Sequence, residues 1–375
     1  MYEHNEQTRA LIDLVDAIVK KYQTPLETRL LRGERLTPAD YRPGTMAARE
    51  VGLWGLDCPA EFGGAELSLV ERLAIHETNS RCVTYLRIGG SALTPLFALK
   101  GKQKELYLDP ILAGKKFSCF AQTEPGGGAD PARAVQTTAR RSEHGWVING
   151  SKIWISNFDQ ADFVFVLAST DRSANARGIS MLAVGKDNPG MSARPVRMLG
   201  DTMTHQLTFS DCEVDELALI GLEGGGFKGA QKALSNARFM VGARALGIAQ
   251  RSYEMMVEHA KERVVFDSPL AEKQGIQGMV VDSWTAIQQN RLLLYTCAEK
   301  ADRGDDTRVE AAMVKMLCTE MAQQIIDRAI QIFGAAGCTY ESPLAHWYDY
   351  QRLSRIFEGP TEVHKYRVLA RHLLA

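Results

Sequence analysis

The chain has 375 residues, 45% hydrophobic and 24% charged, with 44 basic and 45 acidic side chains and a formal net charge of −1. That length exceeds one small domain and predicts two or three packed units with a sizeable core. The even charge balance excludes the basic excess or stripe of a nucleic-acid or anionic-membrane binder, and no uninterrupted apolar run reaches transmembrane length.

The chain opens MYEHNEQTRALIDLV, with charge where a secretory signal needs an apolar core, which predicts a cytoplasmic protein. Seven dispersed cysteines without a CxxC pair predict neither a disulfide framework nor a zinc site, and no metal is expected. Leu11, Ile12, Val15, Ile18 and Val19 recur at helical spacing. Further helical stretches are expected at Tyr41 to Leu56, Leu69 to about Arg81 and Thr94 to about Leu112. From about Lys116 to Ile220 the texture changes to seven short runs rich in β-branched and aromatic residues, an antiparallel barrel or sandwich. Asn149-Gly150 reads there as a hairpin turn. After Gly221 to Phe227 the helical period returns in four stretches, an apolar face from Phe239 to Met256, Ile276 to Cys297, Val309 to Phe333 and the last dozen residues. Thr307 and Glu310 read as a capping box before the third, and the four together predict a bundle. The fold class is mainly α with a β middle domain: an N-terminal helical domain at 1–117, the β-domain at 118–226 and the bundle at 227–375.

Two glycine clusters are tight turns when taken alone. Gly126-Gly127-Gly128 lacks the dinucleotide fingerprint and its βαβ setting, and Gly224-Gly225-Gly226 precedes Phe-Lys where a P-loop has Lys-Ser/Thr.

Several segments, in order, resemble the acyl-CoA dehydrogenase family. They are LDCPAEFGG, CFAQTEPGGGAD (Cys119 to Asp130), SKIWISN (Ser151 to Asn157), ERVVFDSPLAEKQGIQ, QIFGAAG (Gln331 to Gly337) and IFEGPTEVH (Ile356 to His364). The resemblance covers nearly the whole chain. It implies a flavoenzyme that oxidises an acyl thioester to the 2-enoyl thioester, with FAD as the hydride acceptor. It also implies an acyl-CoA or acyl-carrier-protein substrate, an electron-transfer flavoprotein as partner, and a homotetramer or homodimer.

By the same resemblance Glu358 is the base that removes the α-proton; without that context it reads as a solvated glutamate at a loop-to-helix junction. An alternative base position on an earlier helix is Ala237 here, which cannot accept a proton. Arg238 and Gly359 match substrate-side positions, and the Glu358 N–H matches a donor to the thioester carbonyl. Phe120, Gln122, Thr123, Trp154 and Ser156 match residues around the flavin ring. Arg263, Phe266, Gln274, Gln331 and Gly334 match residues reaching the pyrophosphate and adenosine of a neighbouring subunit's FAD. Four positions depart from the pattern. Ala129 stands where a substrate-side serine is usual, Asp267 and Ala335 replace glycines, and Pro360 replaces a threonine whose FAD contact Thr361 takes over. An oxygen-using oxidase or monooxygenase, an enoyl-thioester reductase and a non-catalytic flavin-binding subunit are the competing readings.

Overall fold

The computed structural model of the chain describes residues 1–88 and 92–375. Its contacts fall into two units. Met1–Pro59, Gly64–Gly89 and Ser235–Ala375 make the first; Ala60–Gly63 and Gly90–Leu234 make the second.

The first unit is helical. It carries α1 (Glu6–Ile18), α2 (Thr24–Leu31), α3 (Pro38–Glu50) and α4 (Leu69–Asn79). It also holds most of α5 (Gly226–Glu262), then α6 (Gln274–Asp302), α7 (Arg308–Phe333) and α8 (Pro343–Ser354). Capping boxes start two of them: Thr37 with Asp40, and Ser68 with Glu71. The box expected at Thr307 and Glu310 does not form, because the Glu310 carboxylate is taken by Lys300. The N-terminal helices join the bundle through one core: Leu69 and Leu73 of α4 pack with Phe239 and Leu246 of α5, Leu294 of α6 and Ile325 of α7. Buried charge pairs reinforce that core. Glu27 of α2 accepts from Arg251 of α5 at 2.5 Å, and Glu77 of α4 accepts from Arg291 of α6 at 2.7 Å. Helix α8 escapes the sequence reading because its apolar Leu344, Ala345 and Trp347 alternate with polar residues. Ser342 as N-cap and Pro343 at the first helical position are the signal that marks it.

The second unit is built on an eight-stranded sheet: β1 (Ser118–Ala121), β2 (Thr138–Ser142), β3 (Gly145–Ser156), β4 (Phe163–Ser169), β5 (Ile179–Gly185), β6 (Met191–Arg197), β7 (Met203–Asp215) and β8 (Leu219–Ile220). The order is β6-β7-β3-β2-β4-β5-β8, with β1 also on β4. Most pairings are antiparallel as expected, but β1 and β2 each meet β4 in parallel, so the sheet is mixed. Strand β4 is buried throughout: Val164, Val166 and Ala168 serve one core cluster, Phe163, Phe165 and Leu167 another.

The expected hairpin at Asn149-Gly150 is overturned: β3 runs through it unbroken for 12 residues. The pair instead sits at a shift of register against β7, where Gly150 adopts φ 147° and a Cβ would lie 2.5 Å from the Thr137 hydroxyl. The glycine thus serves an irregularity in the strand and a close approach, both of which share the turn's demand for a residue without Cβ.

Candidate active site

Glu358 lies in the turn that follows α8, with φ 54°. A non-glycine residue in left-handed backbone is held there by its surroundings, at a cost of about 1–3 kcal/mol. Two cations do the holding. The Arg238 Nε of α5 donates to the Glu358 carbonyl at 3.3 Å, and the Lys315 Nζ of α7 donates to the Gly359 carbonyl at 2.7 Å. The Glu358 N–H is not engaged by any described carbonyl, so it is free to donate.

The side chain is partly buried, yet its Oε2 is enclosed and makes no hydrogen bond. Burial therefore raises the carboxyl pKa above the ordinary glutamate value, with Arg238 and Lys315 opposing the rise. Burial also lowers the cations: Arg238 falls below its usual value, and fully buried Lys315 is brought to about 8. His364 completes the turn. It is fully buried, held down to about 4 chiefly by burial, and its imidazole lies against Gly359. Gly359 has φ 98°, and a Cβ there would meet the His364 Cε1 at 2.8 Å. Gly359→Ala is expected to destabilise the first unit by about 1–3 kcal/mol through strain and collision, read as a lower denaturant midpoint; an unchanged midpoint would contradict this packing.

Thr361 is otherwise employed. Its hydroxyl donates to Glu320 at 2.7 Å, which also pairs with Arg355 at 2.8 Å, and its N–H donates to the Arg355 carbonyl at 3.3 Å. Both donors that were expected to face FAD are committed, the hydroxyl to α7 and the N–H within this turn.

In the second unit, the residues expected around a flavin share one neighbourhood. Phe120 pairs with Phe165 in the parallel ladder of β1 with β4, which ends at Ala121, and the chain then runs on through Gln122 and Thr123. The Thr123 carbonyl accepts from the Ile153 N–H of β3 at 2.9 Å. Beside that bond β3 bulges, its register with β7 shifting between Lys152 and Ile155. The bulge gives Trp154 φ 63° and leaves it 48% exposed, an uncommon conformation for a bulky side chain. Ser156 is exposed further along β3, and the Gln122 Oε1 is enclosed without a partner. An exposed aromatic on strained backbone, a free hydroxyl and an orphaned acceptor fit a flat polar ring system. Ala129 is exposed in the loop after Gly128.

Beneath this loop lies a pair the sequence reading passed over. The Lys152 ammonium donates to Glu124 at 2.7 Å and to the Gln122 carbonyl at 3.1 Å, while Glu124 also accepts from the Gln136 and Thr137 N–H groups. Both side chains are essentially buried, at 0% and 5% exposure.

The remaining expected residues collect at one end of the helical unit. Val264–Val265 and Ser268–Pro269 form a two-residue hairpin whose turn, Phe266-Asp267, has φ 49° and 62°. Positive φ at both positions is the geometry that normally selects Asn-Gly. Phe266 is nonetheless displayed there at 91% exposure. Leu270, Ala271 and Ile276 at the hairpin base share a core cluster with Ile330, Ile332 and Phe333 of α7. Arg263, Gln274, Gln331 and Gly334 are all solvent-facing around it.

Three family descriptions tile the chain: the acyl-CoA dehydrogenase N-terminal domain at residues 5–115, its middle domain at 119–212 and its C-terminal domain at 224–374. The chain belongs to the acyl-CoA dehydrogenase family. It is an oxidoreductase, and its cofactor is FAD. Among acyl-CoA dehydrogenase relatives, the mouse mitochondrial short-chain specific acyl-CoA dehydrogenase is 36% identical over 87% of this chain and 81% of its own length. The acryloyl-CoA reductase (NADH) of Anaerotignum propionicum is 35% identical over 87% and 84%. The solved structure of butyryl-CoA dehydrogenase from Megasphaera elsdenii superposes over the full length of both chains with a TM-score of 0.88 at 28% identity. Among the described residues no helix is long and apolar enough to cross a membrane.

Lys315, His364, Lys152 and Glu124 were not singled out from sequence. A lysine on the apolar face of α7, between Ala311, Val314 and Cys318, is the signal that could have found Lys315.

Proposed function

We propose that this chain catalyses FAD-dependent α,β-dehydrogenation of an acyl-CoA, with Glu358 taking the α-proton. The enclosed, unpartnered Glu358 carboxyl oxygen carries this reading. A carboxylate with one oxygen withdrawn from water and from hydrogen-bond donors is a stronger base than one in solution, which removal of a weakly acidic α-proton requires. Arg238 and Lys315 fix the turn that aims it through its own carbonyls, leaving the carboxylate oxygens free. The Glu358 N–H donates to the thioester carbonyl, where negative charge gathers as the proton leaves. Gly359 lets the thioester come close to the backbone at that point.

Phe120, Gln122, Thr123, Trp154 and Ser156 would hold the isoalloxazine ring, and bound FAD supplies the acceptor for the β-hydride. The exposed residues at the end of the bundle, Arg263, Phe266, Gln274, Gln331 and Gly334, reach the pyrophosphate and adenosine of FAD in a neighbouring subunit. The assembly is a homotetramer in the cytoplasm that passes its electrons to an electron-transfer flavoprotein. An arginine offers pyrophosphate paired donors and a permanent charge. Thr361 is left out of this set, since its donors are used by Glu320 and Arg355.

Phe266→Ala tests the subunit reading. A displayed aromatic that stacks on a base contributes about 1–3 kcal/mol, so the variant should retain FAD about 10-fold less tightly while the isolated subunit keeps its melting behaviour. FAD retention equal to wild type would remove Phe266 from the cofactor site. The direction of the reaction is tested by electron donor. Reduced flavin should be reoxidised by an electron-transfer flavoprotein, slowly by air, and NADH should not reduce it.

A further inference from the structure

Arg244 lies on α5 six residues after Arg238, a separation of about 9 Å along the helix axis. Its guanidinium rests between two aromatic rings, 4.3 Å from the Tyr85 centroid and 5.0 Å from that of Tyr350. No hydrogen bond or ion pair to it exists among the described residues, and its Nε is enclosed without a partner. Four other arginines of this unit each have a carboxylate partner. Arg251 has Glu27, Arg291 has Glu77, Arg355 has Glu320 and Arg72 has Asp57. A cation drawn out of water without a counter-charge is costly, and two ring faces offset only part of that.

The surroundings hold this cation in place without neutralising it. Tyr85 is fixed by its hydroxyl, 2.6 Å from the His76 Nδ1, and burial keeps His76 neutral by lowering it to about 4. On the other side, the Tyr350 ring is 6.1 Å from that of Phe357, the neighbour of Glu358. An aromatic wall thus runs from the guanidinium to the residue beside the base, and Arg238, on the same helix, touches the base's own carbonyl. An arginine with free paired donors, on the helix whose Arg238 holds the base's turn, matches a carboxylate.

We propose that Arg244 receives a carboxylate at the far end of the acyl group, so that the substrate is a short ω-carboxyl acyl-CoA and not a plain fatty acyl-CoA. This rests on the dehydrogenase reading for the reaction but not for its test, which is read by binding as well as turnover. Affinity of the FAD-loaded enzyme is measured by calorimetry for two pairs matched in length, glutaryl-CoA with pentanoyl-CoA and adipoyl-CoA with hexanoyl-CoA, in wild type and in Arg244→Met. Flavin bleaching is followed with the same four compounds.

The expected result is a carboxyl-ended compound bound at least about 100-fold more tightly than its methyl-ended partner, as for a site built to pair a polar group. In Arg244→Met that ratio should collapse towards one. Equal affinities within both pairs in wild type would overturn the proposal without recourse to any variant. So would a preference that survives in Arg244→Met. Bleaching by the methyl-ended compounds without a carboxyl preference would sink this inference alone; tight binding of carboxyl-ended compounds without bleaching by any would sink the dehydrogenase reading instead.

Discussion

Glu358→Gln should lower turnover by about 10²–10⁴-fold, the usual contribution of a positioned general base, while FAD stays bound. Glutamine keeps the volume and leaves the turn intact, because Arg238 and Lys315 bind the main-chain carbonyls of Glu358 and Gly359 and not the carboxylate. The pH dependence follows from the same geometry. The base must be ionised to act, so kcat/KM rises as pH passes its folded-state pKa. Burial raises that value above the ordinary glutamate value of about 4.3, and the acidic limb is expected correspondingly high. Arg238 and Lys315 both favour the ionised form. Removing one positive charge by Lys315→Met should therefore move the acidic limb to still higher pH, along with a loss of rate from the freed Gly359 carbonyl. A limb that stays in place in Lys315→Met, or an activity in Glu358→Gln within a few-fold of wild type, would contradict the assignment.

Lys152→Met should cost about 3–5 kcal/mol, because it strands the Glu124 carboxylate in a buried setting. Burial lowers Lys152 even with Glu124 beside it. Burial also pushes Glu124 up, but Lys152 and the Gln136 and Thr137 N–H groups outweigh it, and the carboxyl stays below its usual value. The pair is thus a compensated one whose halves cannot be removed singly. Its loss acts on the cofactor too, since Lys152 also ties down the Gln122 carbonyl and Thr123 is bonded to the next residue of β3. Chemical denaturation of the FAD-free and FAD-bound forms reads both effects: a lower midpoint in each, and a smaller gain on adding FAD. Replacing both partners by apolar residues of similar size should recover part of the stability but not the FAD gain. A single variant as stable as wild type would mean that the pair is not held as buried as the geometry has it.

The outline of the fold was legible in the chain because its periods change cleanly: helical spacing to about Leu112, alternating runs to Ile220, helical spacing again. The details that failed share a cause in tertiary context. Asn149-Gly150 carries turn chemistry, but β3 pairs on both sides and holds it extended. Glu310 could have capped α7, yet a lysine on the preceding helix competes for it and wins. Strand β6, MSARPVR, is mostly exposed and offers no apolar alternation to read.

For the site, the resemblance named Glu358, Arg238 and Trp154, but nothing local in those motifs reveals why the positions matter. Three of the expected site residues share a backbone feature: Trp154, Phe266 and Glu358 all have positive φ without being glycine. Sequence cannot display that strain, nor the supporting residues that enforce it. Lys315 lies 43 positions before Glu358, and its tie to Gly359 arises only when α7 packs beside the turn after α8.

On this reading the chain oxidises an acyl-CoA with Glu358 as the base. Its most direct test is an anaerobic absorbance titration of the FAD-loaded protein with acyl-CoA thioesters, run in parallel on Glu358→Gln. At least one thioester should bleach the flavin band in wild type, and the variant should bind the same compound without bleaching on the same timescale. Bleaching of equal rate and extent in both proteins would contradict it.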